Sequence, residues 1–167
     1  MPTLEEVAKQ PLEQRLGRMS RTADDLAAAI RSQSEAVLTR RPDGKNWAAN
    51  EVICHLRDIE EVYFVRVHAI LANDDPKLYA DPSGGAADRL AEDRQYQRSD
   101  AARALAAFRR RREESLTLLR SLTPEQRQRG CMHPISGRIT IDAFVTMLAW
   151  HDDNHLDQLR RALEGKA

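Results

Sequence analysis

The stretch Thr140–Gly165, TIDAFVTMLAWHDDNHLDQLRRALEG, decides the architecture. Ile141, Phe144, Leu148, His151, His155, Gln158 and Ala162 follow one another at alternating steps of three and four residues. That spacing lays one seam along a helix face and suits helices that pack nearly parallel or antiparallel. Thr140 can cap the start of this helix, and Gly165 can end it.

Working outward, three more long helices are predicted. One runs from about Leu12 to Thr39 on Leu12, Leu16, Met19, Ala23, Leu26, Ile30 and Val37, with Gln33 filling a gap in the seam. Arg41-Pro42-Asp43-Gly44 breaks the pattern as a turn. A second runs from about Ala48 to Asn73, with the seam Ala48, Val52, His55, Ile59, Val62, Arg66 and Ala69. Asn73 to Ala87 holds Pro76, Pro82, Gly84 and Gly85 and reads as a long loop, followed by a short helix near Asp88 to Gln97. A third long helix starts at Ser99 as N-cap and ends near Leu122, with Ala101, Leu105, Phe108, Leu116 and Leu119 inward. Thr123-Pro124-Glu125 pairs a cap with proline at the first helical position. Gly130 to Arg138, with Pro134 and Gly137, reads as irregular. The expectation is an all-α fold, a four-helix bundle with a long crossover loop, in a single domain over residues 1–167.

Composition agrees. The chain has 167 residues, enough to bury a core without staples. Ala, Leu and Arg number 23, 18 and 22, whereas Val, Ile and Thr together number 21, which is thin for a sheet protein. The 26 basic and 26 acidic residues cancel, which argues against a nucleic-acid partner and against charge-driven membrane binding. No apolar run is long enough to span a bilayer. The two cysteines, Cys54 and Cys131, have neither disulfide-framework nor metal spacing, and Met1–Gln10 lacks an apolar signal core, so the expected location is the cytoplasm.

The chemistry gathers on the seams. His151 and His155 are four residues apart, so both rings leave one face of the last helix. His55 lies on the seam of the second. If those two helices are neighbours, three imidazoles converge. Such a set suits Zn, Ni, Fe or Cu and leaves a position open for water or substrate. Asp58, Asp152 and Gln158 are the candidates to hold the rings' outer N–H groups. The alternative is a set of buried histidines bonded to backbone or to Gln158.

The stretch Asn46–Glu60, NWAANEVICHLRDIE, resembles the W-x-x-x-E-V-x-x-H-L-x-D-x-E signature of the DinB-like (DinB/YfiT) superfamily. His133-Pro134-x-x-Gly137 with Thr140 resembles its H-P-x-x-G-x-x-T lead-in, and His151–Leu159 its H-x-x-x-H-x-x-Q-L segment. The resemblance implies a bundle with one divalent metal (Zn, Ni or Fe) on His55, His151 and His155, and often a homodimer. It implies either an enzyme acting on a small-molecule substrate with a low-molecular-weight thiol, or a metal-dependent hydrolase. Ala48 departs from the Ser or Thr that many relatives carry after the tryptophan, which bears on where the second helix starts.

Under the thiol reading, Arg66 could meet the far end of a bound thiol cofactor; eleven residues past His55, it is about 16 Å along the axis. An internal ion pair is the competing role. Under the hydrolase reading, Asp58 is the expected catalytic base. A non-catalytic metal-binding or interaction bundle is a third reading, in which His133 is the best fourth ligand, although its H-P motif belongs to a loop. Arg109 to Arg112 reads as a solvated, ion-paired run, with Arg112 near the seam facing a carboxylate or a dimer partner. Cys54, Trp47 and Trp150 read as packing residues.

Overall fold

The computed structural model describes residues 1–78 and 85–167. Four long helices form the bundle: α2 (Leu12–Ile30), α4 (Ala49–Ala72), α6 (Ala101–Ser121) and α8 (Ile141–Leu163). Shorter pieces are α1 (Leu4–Ala8), α3 (Glu35–Leu38), α5 (Ala86–Asp93), a 3-10 turn at Tyr96–Arg98 and α7 (Pro124–Gln128). A hairpin of β1 (Gly130–His133) and β2 (Gly137–Thr140) precedes α8.

Around the bundle, α4 packs on α6 and α8, and α2 packs on the same two helices. Two core layers fix the directions. Leu26, Val52, Leu56, Phe108, Leu156 and Leu159 share one end. Leu16, Met19, Ile70, Leu119, Ile141 and Phe144 share the other. Hence α4 runs parallel to α6 and antiparallel to α8. The connection from α4 to α6 must therefore travel the length of the bundle, and α5 lies within this crossover. Its middle, 79–84, includes Pro82 and Gly84 of the expected loop and lies outside the described residues.

The first long helix is shorter than its periodicity suggests. α2 stops at Ile30, and Ser34 caps the separate α3 by accepting from the Val37 N–H. The polar run Arg31-Ser32-Gln33-Ser34 offers nothing to bury, and the seam position Gln33 marks the break rather than bridging it. Asp100, not Ser99, caps α6 by accepting from the Arg103 N–H at 2.7 Å. Ala48 offers α4 no side-chain cap. Glu51 compensates: its Oε2 accepts the Ala48 N–H at 2.9 Å, and Arg41 clamps the same carboxylate. The expected caps Thr140 and Thr123 both accept from the N–H three residues on. Gly165 leaves α8 with φ at 71°, a left-handed conformation suited to glycine.

Gly130 to Arg138 forms a hairpin rather than irregular chain. Each strand has four residues, too few for a period-two pattern to be read. Segment 76–78 adds to its edge through Met132 N–H to Pro76 carbonyl and Leu78 N–H to Met132 carbonyl. Among the described residues no helix is long and apolar enough to cross a membrane.

Candidate metal centre

α4 and α8 are neighbours, and they bring His55, His151 and His155 together. One ring nitrogen from each lies within 4.8 Å of the others. His55 is 4% exposed, and the Nε2 atoms of His55 and His151 face each other at 3.1 Å. Two imidazole nitrogens sharing a tetrahedral ion at about 2.1 Å would stand about 3.4 Å apart, so this spacing suits a common cation. The rings pack closely around the same point, with centroids 5.1, 4.5 and 4.2 Å apart.

The rings are held neutral, as metal ligands must be. Burial, then the neighbouring His155 and His151, lowers the His55 pKa to about 2. Burial, His155 and Arg112 lower that of His151 to about 3. His155 is lowered by burial, against the opposing pull of Gln158 and Asp152. Its Nδ1 donates to Gln158 Oε1 at 2.7 Å, which leaves the Nε2 lone pair facing inward. The Nδ1 atoms of His55 and His151 are buried with no hydrogen-bond partner. One buried and two half-buried neutral rings with converging lone pairs fit a divalent cation better than a polar core, where such atoms would be paired with protein groups.

The other candidates sit apart from the three nitrogens. Asp58 accepts from the Tyr96 hydroxyl at 2.6 Å and from Arg57 Nε at 2.7 Å, and Arg94 lies 3.0 Å from it. Burial opposes its charge, but these donors prevail and hold its pKa below the usual carboxylate value. Asp152 faces Thr22 and Arg112 instead of a histidine. Arg66 holds its guanidinium over the Tyr63 ring at 5.5 Å, toward the far end of α4. His133 accepts the Ile135 and Ser136 N–H groups in the hairpin turn. Cys54 is buried, which pushes its thiol up and keeps it protonated.

Sequence reasoning missed the entrance. Trp47 lies against the His55 ring with centroids 4.9 Å apart, and stacks near His155 at 6.5 Å. With Lys45, Asn46, Ala87, Asp88, His155 and Gln158 it lines a surface cavity of about 250 Å³. Trp47 lies before the N-cap of α4, so helical spacing gives no signal for this contact. Asp88 and Ala87 come from the crossover, and no local pattern places them there.

Gln158→Leu removes the acceptor that holds the outer nitrogen of His155. The expected result is a metal affinity about 10–100-fold weaker with an unchanged helical spectrum, read by titration against a competing chelator. An unchanged affinity would show that His155 is oriented by packing alone.

The DinB superfamily family model matches residues 18–159. A protein of Oceanobacillus iheyensis named "putative metal-dependent hydrolase" is 22% identical over 98% of this chain and 91% of its own length. One of Halalkalibacterium halodurans with the same description is 22% identical over 95% and 90%. In fold the chain is similar to YfiT from Bacillus subtilis, described as a probable metal-dependent hydrolase with an unusual four-helix bundle topology. The TM-score is 0.83 at 19% identity, covering 100% of this chain and 92% of that one. A match that reaches into all four long helices and covers all three histidines places the chain in the DinB superfamily.

Proposed function

We propose that the chain is a metal-dependent enzyme in which His55, His151 and His155 hold one divalent ion (Zn, Ni or Fe) and leave a position open for a low-molecular-weight thiol. The thiol is then transferred to an electrophilic small molecule. The observation supporting this reading is the ligand set: three neutral imidazoles, with no fourth carboxylate, thiol or imidazole in the cluster among the described residues, beside a cavity open to the surface. A purely structural site is ordinarily closed by a fourth side chain. A divalent ion there supplies Lewis acidity, which favours the deprotonated form of a thiol or of water.

The chain's own residues supply arrangement. Gln158 fixes the ring of His155. Trp47 walls the centre with an apolar plane and keeps bulk water from His55. In the transfer, the sulfur forms a bond to the electrophilic carbon, the leaving group departs with its bonding pair, and the thiol proton passes to solvent. That chemistry needs no carboxylate at the centre, and Asp58 is already engaged by Tyr96, Arg57 and Arg94.

Hydrolysis is the second reading, with water in place of the thiol. Asp88 favours it, being the carboxylate that lines the same cavity as His155 and Gln158. It is the residue positioned to accept a proton from water there. The test loads the protein with zinc, nickel or ferrous iron and assays a chloronitroarene with glutathione or cysteine, and separately a nitrophenyl ester. Thiol-dependent product formed only with metal supports transfer. Thiol-independent ester cleavage lost in Asp88→Asn supports hydrolysis. Neither activity with any of the three metals would sink both readings.

A further inference from the structure

The four long helices meet at a buried charge cluster that does not balance. Arg112 of α6 lies between Glu60 of α4 and Asp152 of α8, and the three are 2%, 1% and 0% exposed. The guanidinium is fully used. Its Nε donates to Glu60 Oε2 at 2.8 Å, its Nη1 to the Met19 carbonyl at 3.0 Å and to Asp152 Oδ2, and its Nη2 to Asp152 Oδ1 at 3.0 Å. Thr22 adds a hydroxyl donor to Asp152 Oδ2 at 2.6 Å. Glu60 Oε1 is buried and receives nothing. By formal charge the cluster holds one cation and two anions.

The other buried carboxylates are matched: Glu51 by Arg41, and Asp58 by Arg57 and Arg94. The neighbouring Arg18 group also has two acids, but Asp25 and Asp153 are 39% and 26% exposed and are screened by solvent. The Glu60 cluster lacks that relief, and a buried charge left unpaired is costly. It adjoins the three histidines. Asp152 follows His151 in the chain, the field of Arg112 reaches the His151 ring, and that of Asp152 reaches His155.

We propose that the Glu60–Arg112–Asp152 cluster holds a standing negative charge that the divalent ion on His55, His151 and His155 neutralises, so that Glu60 sets metal affinity without touching the metal. This rests on the metal reading of the histidines and not on which nucleophile they serve. Three neutral imidazoles bring no charge to a dication. In a medium that screens poorly, a buried unbalanced anion acts on it through space. The coupling is reciprocal: with the ion present Glu60 is stabilising, and without it Glu60 and Asp152 repel across Arg112.

Glu60→Gln keeps the shape and removes one charge. Zinc binding is measured by competition with a chromophoric chelator, and thermal unfolding is followed with zinc and with a metal chelator. The expected result is a zinc affinity at least ten-fold weaker. The metal-free variant should melt no lower than the metal-free wild type, and the zinc-induced rise in melting temperature should shrink. A merely structural role would lower melting in both states and leave affinity unchanged, and that result would overturn the inference. Equal affinity in the two proteins overturns it while leaving the histidine site standing. Failure of the wild type to bind zinc, nickel or iron removes the site and this inference together. If Glu60→Gln does not fold, Glu60→Met removes the same charge with an apolar side chain and is read by the same criteria.

Discussion

Arg112→Leu is expected to destabilise the metal-free protein by about 3–5 kcal/mol, the usual cost of stripping a buried ion cluster of one partner. The arginine supplies every cationic donor that Glu60 and Asp152 have within the cluster, and both carboxylates are at most 1% exposed. Neither can turn to water. For a chain of this size the loss corresponds to a fall of about 10 °C in melting temperature. Urea unfolding followed by circular dichroism measures it directly. The apolar replacement Glu60→Met, Arg112→Leu, Asp152→Leu should recover most of the loss, since it leaves no charge buried. A small effect from Arg112→Leu alone would mean that the two carboxylates are protonated or hydrated, and would also remove the premise of the Glu60 proposal.

The second large effect belongs to the histidines. Wild-type protein without a tag should carry close to one divalent ion per chain by plasma mass spectrometry. The double variant His151→Ala, His155→Ala should carry almost none, because one remaining imidazole does not hold the ion against buffer. Ligand binding stabilises only the folded state, so zinc at a hundred times its dissociation constant should add about 2.7 kcal/mol to the wild type. That is about 5–10 °C in melting temperature, and the rise should vanish in the double variant. Metal retained by the variant would place the ion elsewhere. No uptake by a folded wild type would leave the three rings as core residues.

The clustering of the three histidines and the fold were unusually readable because both rest on helical periodicity. A seam of alternating three- and four-residue steps states which side chains share a face, and His55, His151 and His155 lie on such seams. Gln158 follows one turn after His155, so its bond to that ring is a local matter. The limit of periodicity shows at Ile30, where α2 ends although the seam runs on to Val37. Hydrophobic spacing cannot report a break whose cause is a run of polar residues and a serine cap. The same limit hid the hairpin, whose short strands are organised by the Gly137 turn and by pairing with 76–78.

Asp58 illustrates the other limit. Its position one turn past His55 aims it correctly by helix geometry, but Tyr96 and Arg94, near the end of the crossover, claim its oxygens. Trp47 differs again: from just before α4 its side chain reaches the ring of His55 on that helix and that of His155 on α8.

By itself, then, the sequence determined what repeats along one helix: four long helices, their inward faces, both caps of the last helix, and three imidazoles on two of those faces. Tertiary structure alone decided which helices touch, and hence that the imidazoles cluster, that Arg112 pairs with two buried carboxylates, and that Asp88 and Lys45 line the cavity beside His155. The physical reason is range. Propensity and periodicity act over one or two turns, whereas a metal centre, a charge balance and a cavity are sums over segments that meet only when the bundle closes.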